Sequence, residues 1–110
     1  MIEASCHCGA VRLEIDASPP EELNDCACSI CRRKGALWAY FSPSLVRITG
    51  ETAIYLWGDR EIENHSCKIC ACTTHWAPVD RSYDRMGVNA RMMDPAIFGA
   101  ARIRKSPGPP

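Results

Sequence analysis

Along most of this 110-residue chain, hydrophobic positions recur at every second residue. In AVRLEID, Val11, Leu13 and Ile15 alternate with Arg12, Glu14 and Asp16, which predicts a strand with one buried face. SLVRITG sets Val46 and Ile48 against Arg47 and Thr49 and ends at Gly50. TAIYLWG repeats the pattern and stops at Gly58, with Asp59 marking a turn before REIENHSC. ALWAYF is short, aromatic and apolar, a strand buried on both faces. MGVNARMM places Val88, Ala90 and Met92 on one face. Helical signals are few. Asp94-Pro95 reads as an N-cap and a first-turn proline opening AIFGAA, where Gly99 limits the helix to two turns.

These elements predict a mainly β fold of short antiparallel strands, with at most one short helix near the C-terminus. No internal repeat or long linker divides the chain, so residues 1–104 are expected to form one domain. The proline- and glycine-rich end predicts a flexible tail over 105–110.

Composition changes the picture in one respect. Eight cysteines in so short a chain need a reason. The N-terminus, MIEASCHCGAVRLEI, has no basic region followed by an apolar run, and no stretch approaches the ~20 apolar residues of a membrane span. A cytoplasmic location without membrane contact is therefore expected, and a reducing compartment favours metal over disulfides. Thirteen basic residues balance thirteen acidic ones, which argues against nucleic acid as a partner.

The cysteines fall into three clusters, CHC at 6–8, CACSIC at 26–31 and CKICAC at 67–72. The spaced pairs Cys6/Cys8 and Cys67/Cys70 suit a closed tetrathiolate zinc site, and a buried set of reduced thiols is the competing reading. A regular strand from Cys6 to Ile15 would place the cysteines on the face of Arg12 and Glu14, so a break in register is expected at Gly9. Cys26, Cys28 and Cys31 supply three ligands where zinc takes four. Either the fourth position stays open for chemistry, or Cys72 closes it. The basic run Arg32-Arg33-Lys34 reads as a solvated turn or as cations offsetting a thiolate-rich site.

The segments SCHCGAVRLEI, CACSICRRKGALWAYF, NHSCKICACTTHW and MGVNARMMDP, in this order and spacing, resemble the glutathione-dependent formaldehyde-activating enzyme family, which includes centromere protein V. The resemblance runs from about Ser5 to Asp94. It implies a tent-like β fold built around two zinc ions per chain. Cys6, Cys8, Cys67 and Cys70 match the structural ligands. Cys26, Cys28 and Cys31 match the three cysteines of a second zinc with an open side, where the family's founding activity joins glutathione to formaldehyde as S-hydroxymethylglutathione. The implied chemistry is of the carbon–sulfur lyase type, with a small thiol and a small aldehyde as partners. Against it stands a non-catalytic zinc scaffold with both sites structural.

The chain departs from the family pattern in three places. Ala71 replaces a glycine that usually follows the last structural cysteine, and a positive φ there would strain alanine. Cys72 stands where many relatives have an aliphatic residue. Relatives often continue past Asp94, and a missing closing strand would expose a sheet edge and favour a homodimer. Among other candidates, His75 is a general base or an ordinary hydrogen-bonded strand histidine, His7 points away from the metal, and His65 is a weak partner of the ligands. Trp38, Tyr40, Trp57 and Trp76 read as core or pocket wall, and Asn89 as a strand position.

Overall fold

The alternation in AVRLEID becomes the second strand of a hairpin. The computed structural model describes residues 1–107, and in it β1 (Ile2–Ser5) pairs with β2 (Arg12–Ile15), Ile2 opposite Ile15 and Ser5 opposite Arg12. The loop between them carries Cys6 and Cys8 and turns at Gly9, whose φ of 81° supplies the expected break in register. In chain order there follow β3 (Glu22–Cys26), α1 (Ser29–Lys34), β4 (Trp38–Phe41), β5 (Val46–Thr49), β6 (Thr52–Tyr55), β7 (Ile62–Cys67), β8 (Thr73–Pro78), β9 (Met86–Asn89), α2 (Pro95–Ala100) and β10 (Arg102–Ser106). β1, β2 and β5 form one sheet, and the remaining strands form a second in the order β10-β3-β4-β9-β8-β7-β6.

Register in the larger sheet decides which side becomes core. Ala39, Val88, His75 and His65 lie opposite one another in one row across β4, β9, β8 and β7. Tyr40, Gly87, Trp76 and Asn64 form the next row. Successive residues of a strand point to opposite faces, so the two rows face apart. The first face packs Leu23, Ala39, Phe41, Met86 and Val88 against Ile2, Ala4, Leu13 and Ile15 of the smaller sheet, making one continuous core. The second face carries the aromatic residues. All of β9 is buried, because Trp76 covers it on that side. A Cβ at Gly87 would stand 2.1 Å from the Trp76 indole nitrogen, so only glycine lets the ring lie across the strand.

Several expectations need correction. A second short helix, α1, follows the middle cysteines. Cys28 caps it by accepting from the Cys31 N–H, and Gly35 ends it with a φ of 67°. Arg32, Arg33 and Lys34 form its last turn, where cations suit the helix dipole. Six residues are too few for a helical period to show in sequence. The strands are not all antiparallel, since β10 pairs in parallel with β3 after the chain returns through α2. β10 lies past Asp94 and covers the outer edge of β3, so a closing strand is present there. Lys105 and Ser106 continue this strand, although the flexible tail was expected to begin at 105; residues 108–110 of that tail lie outside the described residues.

The strand reading of β5 and β6 holds, but Ile48, Ile54 and Tyr55 are exposed rather than buried. β6 is an edge strand of the larger sheet. MGVNARMM stays extended only to Asn89, after which Ala90–Met92 make a 3₁₀ turn. The Asn89 side chain accepts from the Arg91 N–H at 3.2 Å and donates to the Thr73 carbonyl at 2.8 Å, an ordinary structural role. α2 forms as expected, with Asp94 accepting from the Ala96 N–H at 2.8 Å. Among the described residues no helix is long and apolar enough to cross a membrane.

Gly87→Ala should force Trp76 off β9 and cost about 1–3 kcal/mol, read by urea denaturation together with a shift in tryptophan emission. An unchanged midpoint would show that the indole has room to move.

Candidate metal centres

Two hairpin loops bring the first four cysteines together. Cys6 and Cys8 come from the β1–β2 loop, and Cys67 and Cys70 from the β7–β8 loop; their sulfurs all lie within 4.8 Å of one another. Cys6 Sγ to Cys8 Sγ and Cys8 Sγ to Cys67 Sγ both measure 3.7 Å. A tetrahedron of sulfurs at a zinc–sulfur distance of about 2.3 Å has edges of about 3.8 Å, so the set fits a four-coordinate zinc. Backbone donors support the thiolate form: the Val11 N–H donates to Cys6 Sγ at 3.3 Å and the Ile69 N–H to Cys67 Sγ at 3.4 Å.

Electrostatics makes the same point. The N–H groups of Cys8 and Cys72 hold the Cys70 thiol down to about 6. At Cys8 the Ala10 N–H pulls the same way, but burial and the crowding of Cys67, Cys6 and Cys70 outweigh it and push that thiol up to about 11. Four sulfurs this close cannot all ionise without a cation among them. The knuckle also places Ala71 at a φ of 63°, the left-handed conformation anticipated at this glycine-to-alanine departure.

The second cluster lies at the junction of β3 and α1. Cys26 ends β3, Cys28 is the helix cap and Cys31 lies in the first turn; their sulfurs also lie within 4.8 Å of one another. Burial alone would raise Cys28, but the Cys31 N–H at 3.4 Å and the neighbouring thiols hold it below its ordinary value. Burial pushes Cys31 up to about 12, although the Trp38 indole N–H donates to its sulfur at 3.4 Å. Cys72 does not join this group. It packs against the main core beside Cys70, Cys6 and Cys67.

The three sulfurs line a cavity of about 260 Å³ whose walls include Trp38, Tyr40, Trp57 and Trp76, the pocket-wall role expected for these aromatics. Tyr40, Ile62 and Trp76 are shared with a larger cleft of about 650 Å³ that carries Arg60 and Arg85. Arg85 stands 4.1 Å over the Tyr40 ring. Cations thus reach this space from loops rather than from the Arg32–Lys34 run, whose residues line neither cavity.

His75 is not in this pocket. It is 3% exposed, stacks on His65 at 4.1 Å, and its Nδ1 shares a hydrogen bond with Thr74 Oγ1 at 2.9 Å. Burial pulls it down to about 3, so it is a neutral core histidine. His65 instead bonds Thr52 and Glu63, at 2.7 and 3.1 Å. Sequence reasoning missed Asn24, Asn64, Arg60 and Arg85. Asn24 was the readable one, because it precedes Cys26 by two residues on a strand and must share its face.

Comparison with known proteins agrees with this geometry. Residues 1–104 match the family described as glutathione-dependent formaldehyde-activating enzyme. The chain belongs to that family. A Halomonas elongata protein named "Putative glutathione-dependent formaldehyde-activating enzyme" is 52% identical over 33 residues, which are 30% of this chain and 21% of that relative. This match therefore spans about a fifth of the length of the curated relative. The fold is similar to the crystal structure of a Rhodobacter sphaeroides protein, with a TM-score of 0.73 and 28% identity, covering 93% of this chain and 99% of that one.

Ala71→Gly should relieve the left-handed strain and stabilise the protein by about 1 kcal/mol, seen as a higher melting temperature with unchanged metal content. A lower melting temperature would mean that the alanine methyl makes packing contacts worth more than the strain.

Proposed function

We propose that this family member joins a small thiol such as glutathione to a small aldehyde such as formaldehyde, and reverses the reaction, at the three-cysteine cluster. The observation that carries this reading is the contrast between the two sulfur groups. Four sulfurs complete a tetrahedral set from protein alone. Three sulfurs face a cavity that continues into a cleft large enough for the body of a tripeptide.

Cys6, Cys8, Cys67 and Cys70 would hold a structural zinc, and Cys26, Cys28 and Cys31 a second one. Bound there, zinc supplies a soft site that keeps an added thiol deprotonated at neutral pH. Three thiolate donors leave it a weak Lewis acid, which suits thiol binding better than water activation. Around it, the chain's own residues orient the reactants. Trp38, Trp57 and Trp76 wall the cavity, and Arg60 and Arg85, beside Glu61 and Asp80, line the cleft next to it and offer cations to carboxylates of the thiol's body. Addition forms one carbon–sulfur bond as the carbonyl π pair moves onto oxygen. That oxygen gains a proton, the thiol loses one, and nothing else leaves. The product is a hemithioacetal, and the reverse step is a carbon–sulfur lyase reaction.

The test is the exchange rate between free and thiol-bound formaldehyde, followed by NMR with glutathione. Wild-type protein should accelerate exchange, and Cys28→Ser should lower that acceleration roughly a hundred-fold or more while keeping the fold. Saturable glutathione binding without acceleration would make the domain a binding module instead.

A further inference from the structure

We propose that Asn24 and Tyr40 form the oxygen-recognising end of the pocket beside Cys26, Cys28 and Cys31, selecting a ligand whose sulfur-bound carbon carries a hydroxyl group. The proposal rests on the thiol–aldehyde reading of this site and names the part of the ligand that the pocket reads. Asn24 and Cys26 share a face of β3, and Trp38 and Tyr40 share a face of β4. Asn24 pairs with Trp38 across the two strands, and all four residues line the same cavity.

Asn24 is 7% exposed, and its side-chain nitrogen donates to the Tyr40 hydroxyl at 2.6 Å. Its side-chain oxygen is buried and bonded to no protein group, the one such side-chain atom among the described residues. A buried polar atom left unmatched costs about 1–3 kcal/mol, so structures rarely keep one without a use. Here the unmatched atom belongs to a residue of a cavity wall that also holds three sulfurs.

The pair has a defined demand. With its lone pair engaged by Asn24, the Tyr40 hydroxyl has its proton free to donate, while the Asn24 oxygen is free to accept. Turning the amide over exchanges these roles between the two residues but still leaves one donor and one acceptor. A hydroxyl group on the ligand offers one of each. A plain thioether offers neither and would leave both protein groups unpaired. Discrimination of this kind comes from sites built to hydrogen-bond a substrate hydroxyl.

The test compares two ligands of equal shape, S-hydroxymethylglutathione, generated with excess formaldehyde, and S-ethylglutathione. Binding to the zinc-loaded protein is read from the fluorescence of Trp38, Trp57 and Trp76. Wild-type protein should prefer the hydroxymethyl ligand by about ten-fold or more. Tyr40→Phe, which removes one oxygen, should bring the ratio close to one while leaving affinity for the ethyl ligand nearly unchanged. Asn24→Leu should do the same, and retained affinity for the ethyl ligand certifies that each variant is folded. Equal ratios in wild type and variants would overturn the proposal alone. Failure of wild-type protein to bind either ligand would remove the thiol–aldehyde reading itself, and this proposal with it.

Discussion

The fold depends on four sulfurs drawn from two hairpin loops of two different sheets. Cys6 and Cys8 belong to the small sheet, Cys67 and Cys70 to the large one, and all four converge within 4.8 Å. Neutral thiols would pack there as small apolar groups, and ionised thiols would repel. A divalent ion held there would turn that repulsion into a cross-link between segments about sixty residues apart in sequence. Cysteine-bound zinc contributes on the order of 10 kcal/mol in small domains, comparable with the whole stability of a typical protein. The apolar layer from Ile2 to Val88 lies between the same two sheets.

The second sulfur group follows from the period of two in β3, β4 and β8. One set of alternate residues enters the core, which leaves the other set to build a wall: Asn24 and Cys26, Trp38 and Tyr40, and Trp76 lying over Gly87. α1 and its cap then add Cys28 and Cys31 beside the paired position Asn24–Trp38 of β3 and β4. Core and pocket are the two faces of one sheet, so a change such as Gly87→Ala acts on both.

Much of this was legible in sequence, for physical reasons that can be named. Val11, Leu13 and Ile15 alternate cleanly because their hairpin buries only one face. The parity conflict between Cys6 and Val11 required a turn near Gly9, and the missing glycine at Ala71 pointed to a strained backbone. α1 was hidden because six residues span fewer than two turns and its cap is a cysteine, a residue not counted among helix starters. The parallel pairing of β10 with β3 depends on contacts between residues about eighty positions apart, which no local pattern records. Arg60 and Arg85 were missed because a loop position says nothing about the cavity it will border. His75 was correctly weighed toward structure, since a histidine in an apolar strand is more often a buried neighbour than a base.

The central claim is that seven of the eight cysteines serve one closed and one open zinc site, with Cys72 in neither. It is tested most directly by measuring zinc per chain on freshly purified, reduced protein, by elemental analysis beside a free-thiol count. The account predicts two zinc ions per chain in wild-type protein, and still two in Cys72→Ser, since that residue lies outside the three-sulfur group. Metal-free protein with its thiols paired as disulfides would contradict it.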